Sequence, residues 1–226
     1  MPRRKVVSGV DIYRGYGIKD KYSYDANQLD TIINALKFYT EESERDKGSN
    51  YVVFDITIKV KDSSASPYFD PMLFDDGYQD QFDINNLKTI LPEAHYFYRW
   101  TREWSDKNQE HYHLMVIANH PAKTGFIEVM QKDIKSLIGV KSVFISPRLL
   151  DDSDHRRMIH FHWLNKDKQD RDGLTDAIDR HSYRAKLDQK IDGIKRTFDG
   201  SRKLKPLQPL SVYLETKQVN QLSKVA

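Results

Sequence analysis

The sequence predicts an α+β fold, in which an antiparallel sheet of about five strands carries flanking helices. Strand-like runs follow one another closely at residues 51–61, 94–104 and 111–119, and such neighbours usually pair antiparallel. Apolar residues at helical spacing mark further segments at 26–45 and 126–138. This order of strands and helices favours a sheet with helices packed on one face.

The first 92 residues are expected to contain an irregular arm, a helix, a strand and an insertion. Asp25 is a suitable N-cap for the helix at 26–45. In the first strand, residues 51–61, Val53, Asp55 and Thr57 share one face, while the alternate apolar residues face a core. Residues 62–92 contain clusters of Ser, Pro, Asp and Asn, which indicate a long surface insertion with a short helix at 84–90.

The remaining elements follow from the same periodicities. Gly139 is a fitting end for the helix at 126–138, and Pro147 stops the strand that follows it. The expected later elements are strands at 140–146 and 156–164, a long helix at 174–195, and a last strand or interaction segment at 210–214.

Composition indicates one globular domain with appendages. The chain has 226 residues and no cysteine, which excludes disulfides, cysteine-ligated zinc and thiol catalysis. No transmembrane segment or secretory signal is visible, so we expect a cytoplasmic protein with no membrane partner. The net charge is only +3, but residues 184–205 hold eight Lys or Arg against three Asp. Such a cluster can attract phosphates, although solvated helix surface is the commoner explanation.

Two histidines on the strand at 111–119 suggest a metal site. His111 and His113 are two apart in a strand, so their rings project from the same face, with Tyr112 behind them. Residues 105–109 are polar and turn-like, and a hairpin there would bring Glu103 near both rings. A Glu/His/His set with open positions suits Mn²⁺ or Mg²⁺. The alternative is that both histidines are partly buried residues of the sheet.

A second pair, His160 and His162, is a rival for the metal site. These residues also share one face of a predicted strand, at 156–164. No carboxylate on a predicted neighbouring strand completes this pair as well as Glu103 completes the first. The pair could instead lie across the sheet and contact the substrate.

Tyr183 and Lys186 are three residues apart on the predicted helix at 174–195, so they would be neighbours on one face, which Lys190 extends. A tyrosine hydroxyl is a weak nucleophile at neutral pH, because its usual pKa is about 10. An adjacent ammonium favours the phenolate, and a metal on a phosphate makes that phosphate more electrophilic. The alternative is a surface tyrosine whose ring covers the helix.

Together these segments resemble the single-tyrosine HUH endonucleases, and more closely the replication-initiator-like proteins of filamentous phages and their prophage relatives. The similarity spans residues 50–203. The segments that carry it are Phe54-Asp55-Ile56-Thr57, Glu103, His111-Tyr112-His113, Tyr183-Arg184-Ala185-Lys186 and Arg196-Thr197-Phe198-Asp199-Gly200-Ser201-Arg202. The chain departs from the family where Arg184 replaces a common apolar residue, and where Asp199 precedes Gly200.

The resemblance implies an HUH-like fold and a rolling-circle type of DNA nickase. It divides the chain into an N-terminal arm and helix at 1–50, a nickase domain at 51–203 and a tail at 204–226. Glu103, His111 and His113 would hold Mn²⁺ or Mg²⁺. Tyr183 would form a 5′-phosphotyrosine, aided by Lys186. The residues expected to contact DNA are Lys190, Arg196, Ser201 and Arg202.

The expected partner is a single-stranded or supercoiled DNA origin in a bacterial host cell, with helicase and polymerase supplied by other proteins. The nick would start the element's own replication or damage a competing phage genome, as a stand-alone nickase of a phage satellite would. Two other functions stay open: a non-catalytic nucleic-acid-binding module, and a metal-dependent phosphodiesterase that activates water.

Overall fold

The structure is a computed structural model that describes residues 5–61, 82–104, 110–119, 126–145, 148–149, 158–159, 161–164, 173–187 and 198–211. The helices are α1 (Ala26–Arg45), α2 (Leu87–Ile90), α3 (Phe126–Lys135) and α4 (Gly173–Ser182), with 3₁₀ turns at Ile84–Asn86 and Tyr183–Ala185. The strands are β1 (Val6–Val7), β2 (Ile12–Tyr13), β3 (Tyr16–Gly17), β4 (Tyr24–Asp25), β5 (Tyr51–Val60), β6 (Tyr96–Trp104), β7 (Glu110–Asn119), β8 (Val140–Ile145), β9 (Arg148–Leu149), β10 (Met158–Ile159), β11 (Phe161–Trp163) and β12 (Phe198–Gly200). The fold is therefore α+β, as the sequence predicts.

A six-stranded antiparallel sheet forms the centre of the molecule. Its strand order is β11-β5-β7-β6-β12, and β8 also pairs with β5. The three longest strands, β5, β7 and β6, consist of nine or ten mostly buried residues each and lie side by side at its centre. Beyond β5, β11 covers the end near Val52 and β8 covers the end near Ile58. Asp55 lies where these two edge strands meet.

Helices cover both faces of this sheet, so the expectation of one covered face is wrong. On one face, α1 and α4 pack against Val53, Met115 and Ile117. On the other face, α2 and α3 pack against the alternate residues, such as Phe54 and Val116. Both faces of the central strands are apolar at these positions, and each needs a cover.

Helix α1 has the bounds that its sequence predicts. The carboxylate of Asp25 accepts hydrogen bonds from the backbone N–H groups of Asn27 and Gln28, at 3.0 and 3.1 Å. These bonds satisfy two donors that a helix start leaves without partners. Its buried stripe, including Leu29, Ile32 and Leu36, faces the sheet.

The later elements are shorter than predicted. The helix expected at 126–138 ends at Lys135 and is followed by a turn in which Gly139 has a φ of +78°. The strand expected at 156–164 is split, because β10 pairs with β9 while β11 pairs with β5. Leu210 and Ser211 are helical rather than extended. Residues 62–81 of the insertion and residues 212–214 of the expected last strand lie outside the described part.

The helix expected at 174–195 ends at Ser182. Lys186 is extended, with φ −62° and ψ 150°, and forms a β-bridge with Tyr24. The N–H of Leu187 donates to the carbonyl of Ser23 at 2.8 Å. The N–H group of Leu187 therefore bonds to the N-terminal arm instead of forming the hydrogen bond that a longer helix would require. Among the described residues, no helix is long and apolar enough to cross a bilayer.

Gly200 holds the chain against the outer edge of β6. Its φ is +137°, and a Cβ built there would lie 2.2 Å from the backbone oxygen of Tyr98.

We expect Gly200→Ala to lower the free energy of unfolding by more than about 2 kcal/mol, because both the backbone conformation and the lack of space at Gly200 exclude a side chain. Chemical denaturation would measure this. Gly17→Ala is the control, since a Cβ at Gly17 meets nothing within 4 Å. A Gly200→Ala protein as stable as this control would contradict the structure.

Candidate functional site

Glu103, His111 and His113 come together on the two central strands β6 and β7. In the register of these strands, Glu103 lies opposite His111, and Thr101 lies opposite His113. Oε2 of Glu103 is 3.9 Å from Nε2 of His111 and 3.5 Å from Nε2 of His113. The rings of the two histidines are 4.9 Å apart. The hairpin thus brings the carboxylate to both imidazoles, as its sequence predicts.

These three side chains fit a divalent cation. One ligand atom from each lies within 4.8 Å of the others. Ligands at about 2.1 Å from an octahedral ion lie about 3.0 Å apart when adjacent. The Glu–His distances of 3.5 and 3.9 Å would therefore close by less than about 1 Å. Two imidazoles and one carboxylate leave other positions open for water or a substrate oxygen.

His113 is held in an orientation suited to binding a cation. Its Nδ1 lies 3.0 Å from Oγ1 of Thr57, the residue opposite it on β5. When Nδ1 carries the proton and donates to Thr57, the Nε2 lone pair points into the space shared with Glu103. Burial, helped by the charges of Arg184 and His111, lowers the pKa of His113 to about 3. The ring is therefore neutral at pH 7, as a metal ligand must be.

A buried ionic network lies beside this cluster. Oδ2 of Asp55 is 2.7 Å from Nε of Arg180, and its Oδ1 is 2.9 Å from Nδ1 of His181. The same oxygen also contacts Nη2 of Arg184. Burial alone would raise the pKa of Asp55, but Arg184, His181 and Arg180 outweigh it and hold that pKa well below its usual range.

This network was not predicted from the sequence, although the strand periodicity placed Asp55 on the same face as Thr57. Arg184 is almost fully buried, and it also donates to the carbonyl of Leu114 at 3.3 Å. The sequence contains only a weak indication of this network. Asp55 is a charged residue inside an apolar strand, and Arg184 stands beside Tyr183, where the family that the sequence resembles often has an apolar residue. The pairing itself joins residues about 125 positions apart.

Tyr183 lies on the 3₁₀ turn that follows α4. Lys186 is only 2% exposed, and its Nζ donates a hydrogen bond to the hydroxyl of Tyr183. The ring of Tyr22, from the N-terminal arm, packs edge-on against the ring of Tyr183 at 5.3 Å. Tyr183 and Lys186 therefore meet through a tight turn and an extended residue, rather than on one face of a continuing helix.

One cavity joins the tyrosine to the cluster. It has a volume of about 460 Å³. Its lining includes Tyr183, His113, Thr57 and the network residues Asp55 and Arg184. We call it the tyrosine cavity. It combines a hydroxyl with a neighbouring ammonium, one imidazole of the Glu103–His111–His113 cluster and the buried guanidinium group of Arg184.

His162 does not belong to the Glu103–His111–His113 cluster. It is buried, lines the tyrosine cavity, and its ring lies 6.2 Å from that of His181. Its position opposite Val53 on β5 separates it from the strands that carry the cluster. His160 lies outside the described residues, so the rival pair is described only in part.

The residues expected to contact DNA are separated from this cavity or not described. Lys190 and Arg196 lie outside the described residues. Ser201 is buried, and its hydroxyl accepts the backbone N–H of Tyr98 at 3.1 Å. Arg202 is exposed, and it lines a second cavity beside β12. The tyrosine cavity contains neither Ser201 nor Arg202.

Comparisons of the chain with protein-family models, with curated proteins and with solved structures find no match. The resemblance to HUH endonucleases therefore rests on the motif residues and their spacing. The geometry of the tyrosine cavity is the basis for a functional proposal.

Proposed function

We propose that this protein is a metal-dependent endonuclease that nicks single-stranded DNA with Tyr183 as the nucleophile. One observation carries the proposal: a single cavity is lined by Tyr183, whose hydroxyl contacts Lys186, and by His113 of the Glu103–His111–His113 cluster. A nucleophile, a neighbouring cation and a cation-binding set are the parts that phosphoryl transfer to a protein side chain needs.

Glu103, His111 and His113 would hold Mn²⁺ or Mg²⁺. When bound, such an ion neutralises charge on a non-bridging phosphate oxygen and makes phosphorus more electrophilic. Thr57 fixes the ring of His113 through Nδ1, and the neighbouring strands fix the positions of all three ligand residues. The donor set fits either ion.

The chemical step joins the tyrosine oxygen to phosphorus. Oη of Tyr183 attacks in line, a bond from that oxygen to phosphorus forms, and the bond from phosphorus to the 3′ oxygen breaks. The tyrosine loses its proton, and the departing 3′ oxygen takes up a proton to become a hydroxyl. The protein then carries a 5′-phosphotyrosine, so the phosphodiester energy is kept and a 3′ hydroxyl can reverse the step.

The cations around Tyr183 have distinct roles in this proposal. Lys186 contacts the hydroxyl and stabilises the phenolate as the proton leaves. Arg184, fixed by Asp55, places a permanent positive charge in the wall of the same cavity, where phosphate charge increases in the transition state. Asp55 is a positioning residue, because it acts through Arg184 and Arg180.

The polarity of the covalent adduct tests the proposal. A pool of random single-stranded oligonucleotides is incubated with the protein and Mn²⁺ and then separated on a denaturing gel. A 5′-phosphotyrosine keeps the part of the strand downstream of the cut. DNA labelled at its 3′ end should therefore migrate with the protein, while DNA labelled at its 5′ end should be released. A matched reaction with EDTA should give neither product.

Other outcomes lead to other functions. Cleavage without an adduct would favour a water-activating phosphodiesterase. An adduct that keeps the 5′ label would reverse the proposed polarity. Binding without cleavage, on the random pool and on supercoiled DNA, would favour the non-catalytic module.

A further inference from the structure

A second cavity, of about 590 Å³, lies on the face of the sheet away from Glu103. Tyr98 and Trp100 of β6 line it, and both residues belong to the core beneath α2 and α3. Glu103 is an odd-numbered residue of the same strand, so its side chain projects from the opposite face. This cavity is therefore separate from the tyrosine cavity.

Basic residues surround this second cavity. Lys88 comes from α2, and Arg202, Lys203 and Lys205 come from the chain after β12. Two acidic residues, Glu93 and Asp199, also line it, which leaves an excess of two positive charges. Asp199 accepts the N–H of Gly200 at 2.8 Å and lies 3.9 Å from Arg202. We call the space the lysine cavity.

The segment that carries three of these cations is fixed at both ends. Ser201 is anchored to β6, because its N–H donates to the carbonyl of Tyr98 at 2.8 Å and its hydroxyl accepts the N–H of that residue. At the other end, Leu207 is buried and its N–H donates to the hydroxyl of Tyr51 at 3.3 Å. Between them, the carbonyl of Lys205 accepts from the hydroxyl of Tyr39 at 3.1 Å. The backbone that carries these charges is thus fixed before any ligand arrives.

The base of the cavity also offers a neutral donor. Burial, together with the charges of Glu93 and Asp199, raises the pKa of Tyr98 to about 12. The hydroxyl of Tyr98 therefore keeps its proton at neutral pH. Ammonium and guanidinium groups around a hydroxyl donor suit an anion with several oxygens, such as a phosphate.

We propose that the lysine cavity binds the phosphodiester backbone of DNA on the face opposite the Glu103–His111–His113 cluster. The inference rests on the proposed function in one point, namely that the bound polyanion is DNA. A strand held here would be attached to the protein at a second place, away from the scissile phosphate. Its contacts would be independent of base sequence, because only backbone charge is bound.

The test is equilibrium binding of a fluorescent oligothymidine of about 30 nucleotides, measured by anisotropy in EDTA. The full-length chain carries Tyr183→Phe in every sample, so no covalent adduct forms. Two variants are made in this background: the double substitution Lys203→Glu and Lys205→Glu, and the single substitution Lys88→Glu on α2. The matched control is Lys37→Glu with Lys47→Glu, two exposed lysines that do not line the cavity and give the same change in charge.

We expect the Lys203/Lys205 pair to weaken binding at least about tenfold more than the control pair. The log–log dependence of affinity on salt should become shallower by about 1.4, for two lost phosphate contacts on a single strand. Lys88→Glu should weaken binding in the same direction. Unchanged thermal unfolding of the variants would show that the fold is intact.

The inference is overturned if the Lys203/Lys205 pair binds like the control pair, or if the parent protein binds no oligothymidine at low salt. Its failure differs from failure of the proposed function. If the wild type forms the adduct but the Lys203/Lys205 variant binds DNA like the control variant, only the proposal for the lysine cavity is rejected. If the Lys203/Lys205 variant loses DNA binding but the wild type does not cleave DNA, the lysine cavity is supported and the nickase proposal is rejected.

Discussion

Replacing Tyr183 by phenylalanine is expected to abolish the covalent adduct and to lower the nicking rate at least about 10³-fold. The substitution removes only the attacking oxygen, since the phenylalanine ring can keep the edge-on contact with Tyr22. The wild type and the variant would be compared on a substrate selected from the random oligonucleotide pool. Peptide mapping of the wild-type adduct should place the nucleotide on Tyr183.

Tyr22→Phe is the matched control for this substitution. Tyr22 lies 5.3 Å from Tyr183 between ring centroids, and Nζ of Lys186 lies 5.4 Å from the Tyr22 ring. It is therefore a second tyrosine near the same ammonium. The control should still form the adduct. An adduct that persists in Tyr183→Phe and disappears in Tyr22→Phe would transfer the nucleophile to the N-terminal arm.

Replacing His113 by glutamine is expected to weaken Mn²⁺ binding more than about 100-fold and to abolish nicking with it. The variant loses an imidazole that is neutral at pH 7 and held by Thr57. Titration calorimetry would measure the affinity. Thermal unfolding gives a second readout, because an ion at about 100 times its Kd stabilises the wild type by about 2.7 kcal/mol, and this stabilisation should vanish.

His162→Gln is the control for the metal site. His162 also lines the cavity and is more deeply buried than His113, but it lies outside the Glu103–His111–His113 cluster. Mn²⁺ affinity should change little in this variant. Loss of affinity in His162→Gln with retention in His113→Gln would favour the rival histidine pair and contradict the proposed ligand set.

Local patterns predicted the parts of the fold that local interactions determine. Asp25 and the apolar stripe after it define α1, because capping and periodicity both act within a few residues. The alternation in β5, β6 and β7 set which side chains share a face. The antiparallel register of β6 and β7 then places Glu103 opposite His111.

Contacts between distant segments set the features that the sequence did not reveal. Residues 183–187 have helical composition, yet the backbone of the N-terminal arm pairs with Lys186 and Leu187 and ends the helix. The network around Asp55 joins β5 to α4, so no periodicity within either element could indicate it. The central strands carry apolar residues on both faces, so helices cover both faces of the sheet. The prediction from the sequence assumed one apolar and one polar face, and it therefore placed helices on one face alone.

The placement of all three cluster residues on paired central strands has a consequence for how the protein would bind an ion. Ligands that already face one another lose little conformational entropy when the ion arrives. Folding then does not depend on the metal, unlike in small domains that fold only around zinc. We expect an ion that exchanges freely with its surroundings, so that the supply of divalent cations controls the chemistry and leaves the architecture unchanged.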